Sequence, residues 1–181
     1  MAGLNNAHIS GLARKLVQAD ILNEETASGA LEESVRLKVP FVQHLVETKM
    51  GESSDIAQIA SAEFGVPLLD INSIDPDIIP KDMVSEKLIR LHHALPLFKR
   101  GNRLYVAMSD PTNLQALDEF KFHTGISTEA IIVEETKLVD WIEKILTEQD
   151  ASALSNLEDT NLDDLDISGI DDELADDQDG D

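Results

Sequence analysis

The last 32 residues, Asp150 to Asp181, hold 13 Asp and Glu and not one Lys or Arg. That block separates what can build a packed core from what cannot. It has no Val or aromatic residue and too few apolar groups to offset the entropy of ordering a chain. It also supplies more than half of the formal net charge of -22, because 23 acids against 14 bases remain in residues 1–149, leaving about -9 there. Like charges repel and stay solvated, so residues 150–181 are expected to form a disordered acidic linker. Residues 1–9 are expected to be disordered as well.

Residues 10–149 are long enough to bury roughly two thirds of their unfolded surface without staples. Cysteine is absent, which removes disulfides, thiolate metal sites and cysteine nucleophiles, and suits a reducing cytoplasm. The N-terminal MAGLNNAHIS lacks a charged-then-apolar signal region, and no run approaches the ~18 apolar residues of a membrane span. A cytoplasmic protein is expected. The acidic balance argues against general nucleic-acid binding, which needs clustered cations for phosphate.

Helical spacing dominates residues 10–64. Ser10 reads as an N-cap ahead of Leu12, Leu16, Val17 and Ile21. Asn23 caps a second helix with Glu24 and Glu25 in its first turn and Ala27, Ala30, Leu31 and Val35 inward. Pro40 opens a short third helix through Phe41, Leu45 and Val46. Ser53 or Ser54 caps a fourth, which Gly65 ends. Two copies of this unit repeat at an offset of 29, with Leu16-Val17-Gln18 matching Leu45-Val46-Glu47 and Ile21 matching Met50. Similar packing needs and a true duplication account for that equally. Paired units of this kind often build one binding surface between them.

After Gly65 the period changes. Val66 to Asp70 reads as a short edge strand containing Pro67, and residues 72–81 as a Pro- and Asp-rich connector, so 65–81 is a boundary. Residues 82–149 then read α-β-β-α-β-α. A helix over Asp82 to His92 carries Met83, Leu88 and Leu91. Strands Ala94–Phe98 and Leu104–Met108 flank the loop Lys99 to Arg103. Thr112 with Gln115 forms a capping box for a helix carrying Leu114, Leu117 and Phe120 and ending at Gly125. Thr128–Val133 is a strand, and Thr136–Leu146 a final amphipathic helix. The expected fold is α+β: a helical repeat subdomain of four short helices, a small α-β-β-α-β-α subdomain and a disordered acidic tail.

No catalytic constellation emerges. G-x-x-x-x-G-K-[ST] and G-x-G-x-x-G are both missing. His92 and His93 are adjacent, and neighbours on a helix point about 100° apart, which prevents joint chelation of one ion. A cation beside the helix C-terminus is the favoured role there, and no metal site is expected. Two surfaces remain as candidates. One is the basic island Lys99, Arg100 and Arg103, which reads either as a dock for an acidic or phosphorylated partner or as a solvated hairpin tip. The other is the apolar face of the repeat, with Leu12, Leu16, Val17, Ile21, Leu22, Leu45 and Val46 as partner-binding candidates; most of them are expected to be core, and those left exposed would meet a partner helix or strand.

The order L-V-Q-A-D-I-L-N-E-E-T-A, then E-F-G-V-P-L-L-D, then A-L-P-L-F-K-R-G-N-R-L-Y-V-A-M-S-D-P-T-N resembles the N-terminal domain of type IV pilus assembly ATPases, within a wider group of GspE-like and MshE-like ATPases. The resemblance covers residues 10–148. It implies a cytoplasmic hexameric motor, peripheral at the inner membrane, that drives pilus extension with ATP and Mg in other domains. It also implies that the present sequence ends before the Walker motif, hydrolyses no ATP itself and holds no cofactor. Family members of this type dock a PilZ-type adaptor or the inner-membrane platform protein. Some bind cyclic di-GMP through tandem motifs close to R-L-G-x-x-L-V-x-x-G-L-I. Here Gly11 and Pro40 stand at the motif arginines, and Ala13, Asp20, Val42 and Lys49 at its glycines. Arg supplies a planar fork for phosphate, Gly allows close backbone approach, and Asp20 would repel phosphate. Arg14 and Lys49 are the residues left to hold such a ligand. Cyclic di-GMP binding is therefore the disfavoured expectation, and protein docking the favoured one.

Overall fold

The computed structural model describes residue 9 and residues 11–163. The expectations for Ser10, for residues 1–8 and for residues 164–181 lie outside that range. Four helices come first: α1 Gly11–Gln18, α2 Glu24–Leu37, α3 Phe41–Glu47 and α4 Ser53–Phe64. Asn23 caps α2 as its sequence position demands, with its side chain accepting from Thr26 N–H at 2.7 Å. Gly65 closes α4 with φ 64°. At the start of α4 the N-cap is Glu52, with no side-chain bond, and neither serine caps it. Ser53 instead accepts from the Thr136 backbone N–H at 3.1 Å and so ties α4 to a distant helix start.

Two single-turn 3₁₀ helices, Ile71–Ser73 and Pro76–Ile78, carry the connector, capped by Asp70 and Asp75. Helix α5 covers Glu86–His92, later than the expected Asp82 start; Asp82 to Val84 form turns that bury Val84. Strands β1 Leu95–Arg100 and β2 Arg103–Met108 pair antiparallel around Gly101-Asn102. Gly101 has φ 58°, which a two-residue hairpin favours at its first central position. Each strand runs two or one residues further into the expected loop. Helix α6, Leu114–Thr124, crosses to β3, Ser127–Ile132, which pairs parallel with β2. Its cap is Asn113, whose side chain accepts from Ala116 N–H at 3.2 Å. Thr112 does not form the capping box, because its N–H and hydroxyl both donate to Asp110.

The sheet order is β1-β2-β3. The strand expected over Val66–Asp70 is reduced to one bridge, Leu68 with Ile132, on the outer side of β3. Pro67 has no N–H to continue a ladder, and the chain turns into a 3₁₀ helix four residues later.

Residues up to Leu146 make one compact unit. The helical repeat and the sheet layer, expected as separate subdomains, share a single hydrophobic core that includes Leu12, Leu45, Ile56, Val106, Phe120 and Ile132. Helix α4 packs on β3. Helix α7 spans Glu135–Asp163, and its residues Leu138, Trp141, Ile142, Ile145 and Leu146 join that core. The Trp141 indole donates to Asn72 Oδ1 at 2.8 Å, and Lys137 reaches Asp70 at 3.2 Å, pinning the connector.

The described residues from Thr147 on belong to a second unit. Helix α7 continues through it to Asp163, past the expected end at Leu146 and into the segment read as disordered. Residues 151–155 are exposed, and the Ser152 and Ser155 hydroxyls donate to backbone carbonyls one turn back. Composition excluded a core there; it did not exclude a solvated helix, which Ala and Leu propensity permits.

Leu16 and Leu45 occupy matching, fully buried positions in the two repeat units. Leu16→Ala and Leu45→Ala are each expected to lower the unfolding free energy by about 2–5 kcal/mol. Urea unfolding followed by the fluorescence of Trp141, the single tryptophan, measures this. A loss under about 1 kcal/mol in both would contradict the core assignment.

Candidate docking and ligand surfaces

The repeat ends twice in the same way. At the end of α1, Asp20 N–H donates to Val17 O at 3.1 Å and Ile21 N–H to Leu16 O at 3.0 Å. At the end of α3, Lys49 N–H donates to Val46 O at 3.1 Å and Met50 N–H to Leu45 O at 2.8 Å. Both are Schellman stops, in which one residue turns left-handed and the next apolar residue folds back on the helix. Asp20 and Lys49 both have φ 58°, a conformation that costs an ordinary residue about 1 kcal/mol and glycine almost nothing. These are the positions where the resembled motif carries glycine, so the backbone shape survives without the residue best suited to it.

Most of the repeat's apolar residues are core, as their spacing led one to expect. Leu12, Leu16, Leu22 and Leu45 are buried in the core, and Val17, Ile21 and Val46 are half-buried against it. A side chain consumed by its own core presents nothing to a partner. Arg14 and Lys49 are exposed. Gly11, at the first motif-arginine position, has φ 60°, and a Cβ there would meet Thr112 Cγ2 at 3.4 Å. Pro40, at the second, is the N-cap of α3. Neither position offers a donor side chain.

The basic island lies where the hairpin reading put it. Lys99, Arg100 and Arg103 are exposed at the turn end of β1 and β2, and Arg103 pairs with Glu129 of β3. Arg100 stands directly opposite Arg103. One step inward, the Phe98 and Tyr105 rings stack at 5.0 Å.

His92 and His93 serve the structure. His92 is buried at the end of α5, with Nε2 2.7 Å from Glu119 Oε2 on α6. His93 is the left-handed cap of α5, with Nε2 2.5 Å from buried Glu135 at the start of α7. The two rings face different carboxylates, as their divergence on a helix requires. Among the described residues no group of three His, Cys, Asp or Glu could hold a metal.

Sequence reasoning missed an exposed apolar stripe. Leu114 and Phe122 lie on one face of α6 with Asp118, and Phe122 is 94% exposed. Asp118, Lys121, Phe122 and Gly125 line an open pocket there of about 440 Å³. Val35, expected inward, is exposed, and so is Leu91. The available signal was the α6 pattern itself. Ala116 and Phe120, four apart, are its buried stripe, and Leu114 falls off it.

With this geometry in place, residues 64–152 match the MshEN domain family model. The chain belongs to the MshEN domain family, in the form found in the N-terminal region of type IV pilus assembly ATPases. It is 42% identical over 167 residues to the type IV pilus assembly ATPase PilB of Pseudomonas aeruginosa, covering 92% of this chain and 29% of that one. It is 39% identical over 158 residues to PilB of Acinetobacter baylyi, covering 87% of this chain and 27% of the relative. The chain thus spans less than a third of the length of these relatives. The fold is similar to a structure of MshE with cyclic di-GMP, at TM-score 0.54 and 23% identity over 75% of this chain and 99% of the other. It is also similar to the N-terminal domain of XpsE, at TM-score 0.58 and 18% identity over 73% of this chain and 91% of the other.

Two outcomes follow from these sites. Lys49→Gly relieves a left-handed residue while adding unfolded-state freedom, so it should raise stability in urea by up to about 1 kcal/mol. A loss of stability would show that the Lys49 side chain is held in place. Separately, the His92 contact and Gln115 hold the Glu119 carboxyl below its ordinary range, and Lys137 and the Asn72 amide do the same for Asp70. Depressed folded values add stability above the unfolded carboxylate range that is lost as pH falls through them. Stability should therefore drop on the acid side of about pH 4, and less steeply in Glu119→Gln/Asp70→Asn. Parallel pH profiles for variant and wild type would contradict this.

Proposed function

We infer that this chain is the regulatory and docking domain of a cytoplasmic hexameric ATPase that powers type IV pilus extension. In this reading it binds a PilZ-type adaptor, the inner-membrane platform protein, or both. ATP and Mg are handled by other domains of such a protein, since no Walker motif occurs in these 181 residues. Its place is peripheral at the inner membrane through the pilus machinery. Among the described residues no helix is long and apolar enough to cross a bilayer.

One observation carries the inference. Both repeat units keep the left-handed turn and the buried leucine that the fold needs, while Gly11 and Pro40 replace the side chains a phosphodiester would need. A cyclic dinucleotide does not fit these residues well, because the backbone is shaped for approach and the anion finds Asp20 beside it. Protein docking is the use left to a fold kept intact. Calorimetric titration of the chain with the family's PilZ-type adaptor should give saturable heat at micromolar concentrations. No heat at tens of micromolar would count against the reading.

The second reading is a cyclic di-GMP sensor in the same ATPase. It is favoured by the shared fold with MshE, whose structure contains that ligand, and by exposed Arg14 and Lys49 in the two units. Saturable retention of labelled cyclic di-GMP that Arg14→Ala abolishes would establish it over the first.

A further inference from the structure

We propose that the turn end of the β1–β2 hairpin is a docking surface for an acidic segment of a partner protein, an assignment that rests on the docking-domain reading. The chain carries a net charge of -22, yet this corner collects three of its 14 cations within five residues. Glu129 holds Arg103, while Lys99 and Arg100 have no ion-pair partner among the described residues. The register places Arg100 opposite Arg103. Like charges directly opposite in a sheet destabilise it, so the pairing is a local cost that an anionic partner removes.

The surface has an apolar component as well. Side chains alternate along a strand, so Phe98 shares a face with Arg100, and Tyr105 with Arg103. The stacked, half-buried rings therefore lie one step behind the two guanidinium groups on the same side of the sheet. A carboxylate-bearing segment with an adjacent bulky apolar residue matches that pair of features; aromatic and Arg side chains are those most often found as anchors. Among the described residues no strand pairs with the second edge of β1, whose tip residues Lys99 and Arg100 are exposed, whereas β3 is bridged by Leu68. Its basic tip repels an identical edge and admits an acidic one, which gives selectivity by charge. An anionic membrane is the weaker match. Surface attraction of that kind takes clusters of about 4–8 cations, and the chain as a whole is repelled.

The test uses the full chain and three probes. These are a fluorescein-labelled peptide alternating Glu with Leu and Tyr, phosphatidylcholine vesicles containing phosphatidylglycerol, and the PilZ-type adaptor. Wild type should bind the peptide, and Lys99→Glu/Arg100→Glu should weaken it about tenfold, as should a rise in salt. Lys99→Ala/Arg100→Ala should fall between, and unchanged Trp141 fluorescence verifies folding in each. Equal peptide affinity for wild type and the charge-reversed variant overturns the proposal. So does failure of the peptide to bind wild type, or vesicle binding stronger than peptide binding. Adaptor binding that survives charge reversal unchanged overturns this surface while leaving the docking-domain reading intact. Adaptor binding lost from wild type and variant alike removes that reading instead.

Discussion

Two short helices stop abruptly, and much of the repeat's shape depends on those stops. Asp20 and Lys49 turn left-handed at positions 29 apart, and each turn sends the following apolar residue, Ile21 or Met50, back toward the leucine one turn earlier. Leu16 and Leu45 are thereby driven to zero exposure in the common core. Each stop uses a residue poorly suited to the conformation, so tertiary packing outweighs a local cost of about 1 kcal/mol. With the helices held at that length, α4 reaches β3, and Ser53 can receive the Thr136 amide at the start of α7.

Which polar groups the turns retain decides what the domain can recognise. A backbone that turns left-handed leaves room for a flat ligand, but an anion clamp also needs donor side chains, and Gly11 and Pro40 have none to offer. The apolar residues persist because burial alone demands them. In the docking reading proposed above, recognition would fall to features outside the repeat's core, among them the arginine-tipped hairpin and the exposed α6 stripe.

Much of this was legible in the residues. The period change after Gly65, the hairpin around Gly101, the Asn23 cap and the left-handed ends at Gly65 and Gly125 all follow from local chemistry. Where the reading went astray, a competing interaction decided the outcome. Thr112 had the spacing of a capping box, but Asp110 took its N–H and hydroxyl and left Asn113 to cap. Val66–Asp70 had strand composition, but Pro67 limited it to one bridge with Ile132. Helical spacing located the Leu16 and Leu45 stripe without revealing which side it faced, since a core face and a docking face share one pattern. Residues 151–155 of the acidic block are exposed, and α7 enters the block, because helix formation in water needs propensity and not burial.

The central claim is that this domain works through a protein contact and not through its repeated turns. Amide hydrogen exchange of the full chain, with and without the PilZ-type adaptor and with and without cyclic di-GMP, tests it most directly. The account predicts adaptor-dependent protection around residues 98–105, with no change at residues 11–22 and 40–51 on adding the dinucleotide. Protection of those two turns by cyclic di-GMP, with none anywhere from the adaptor, would contradict it.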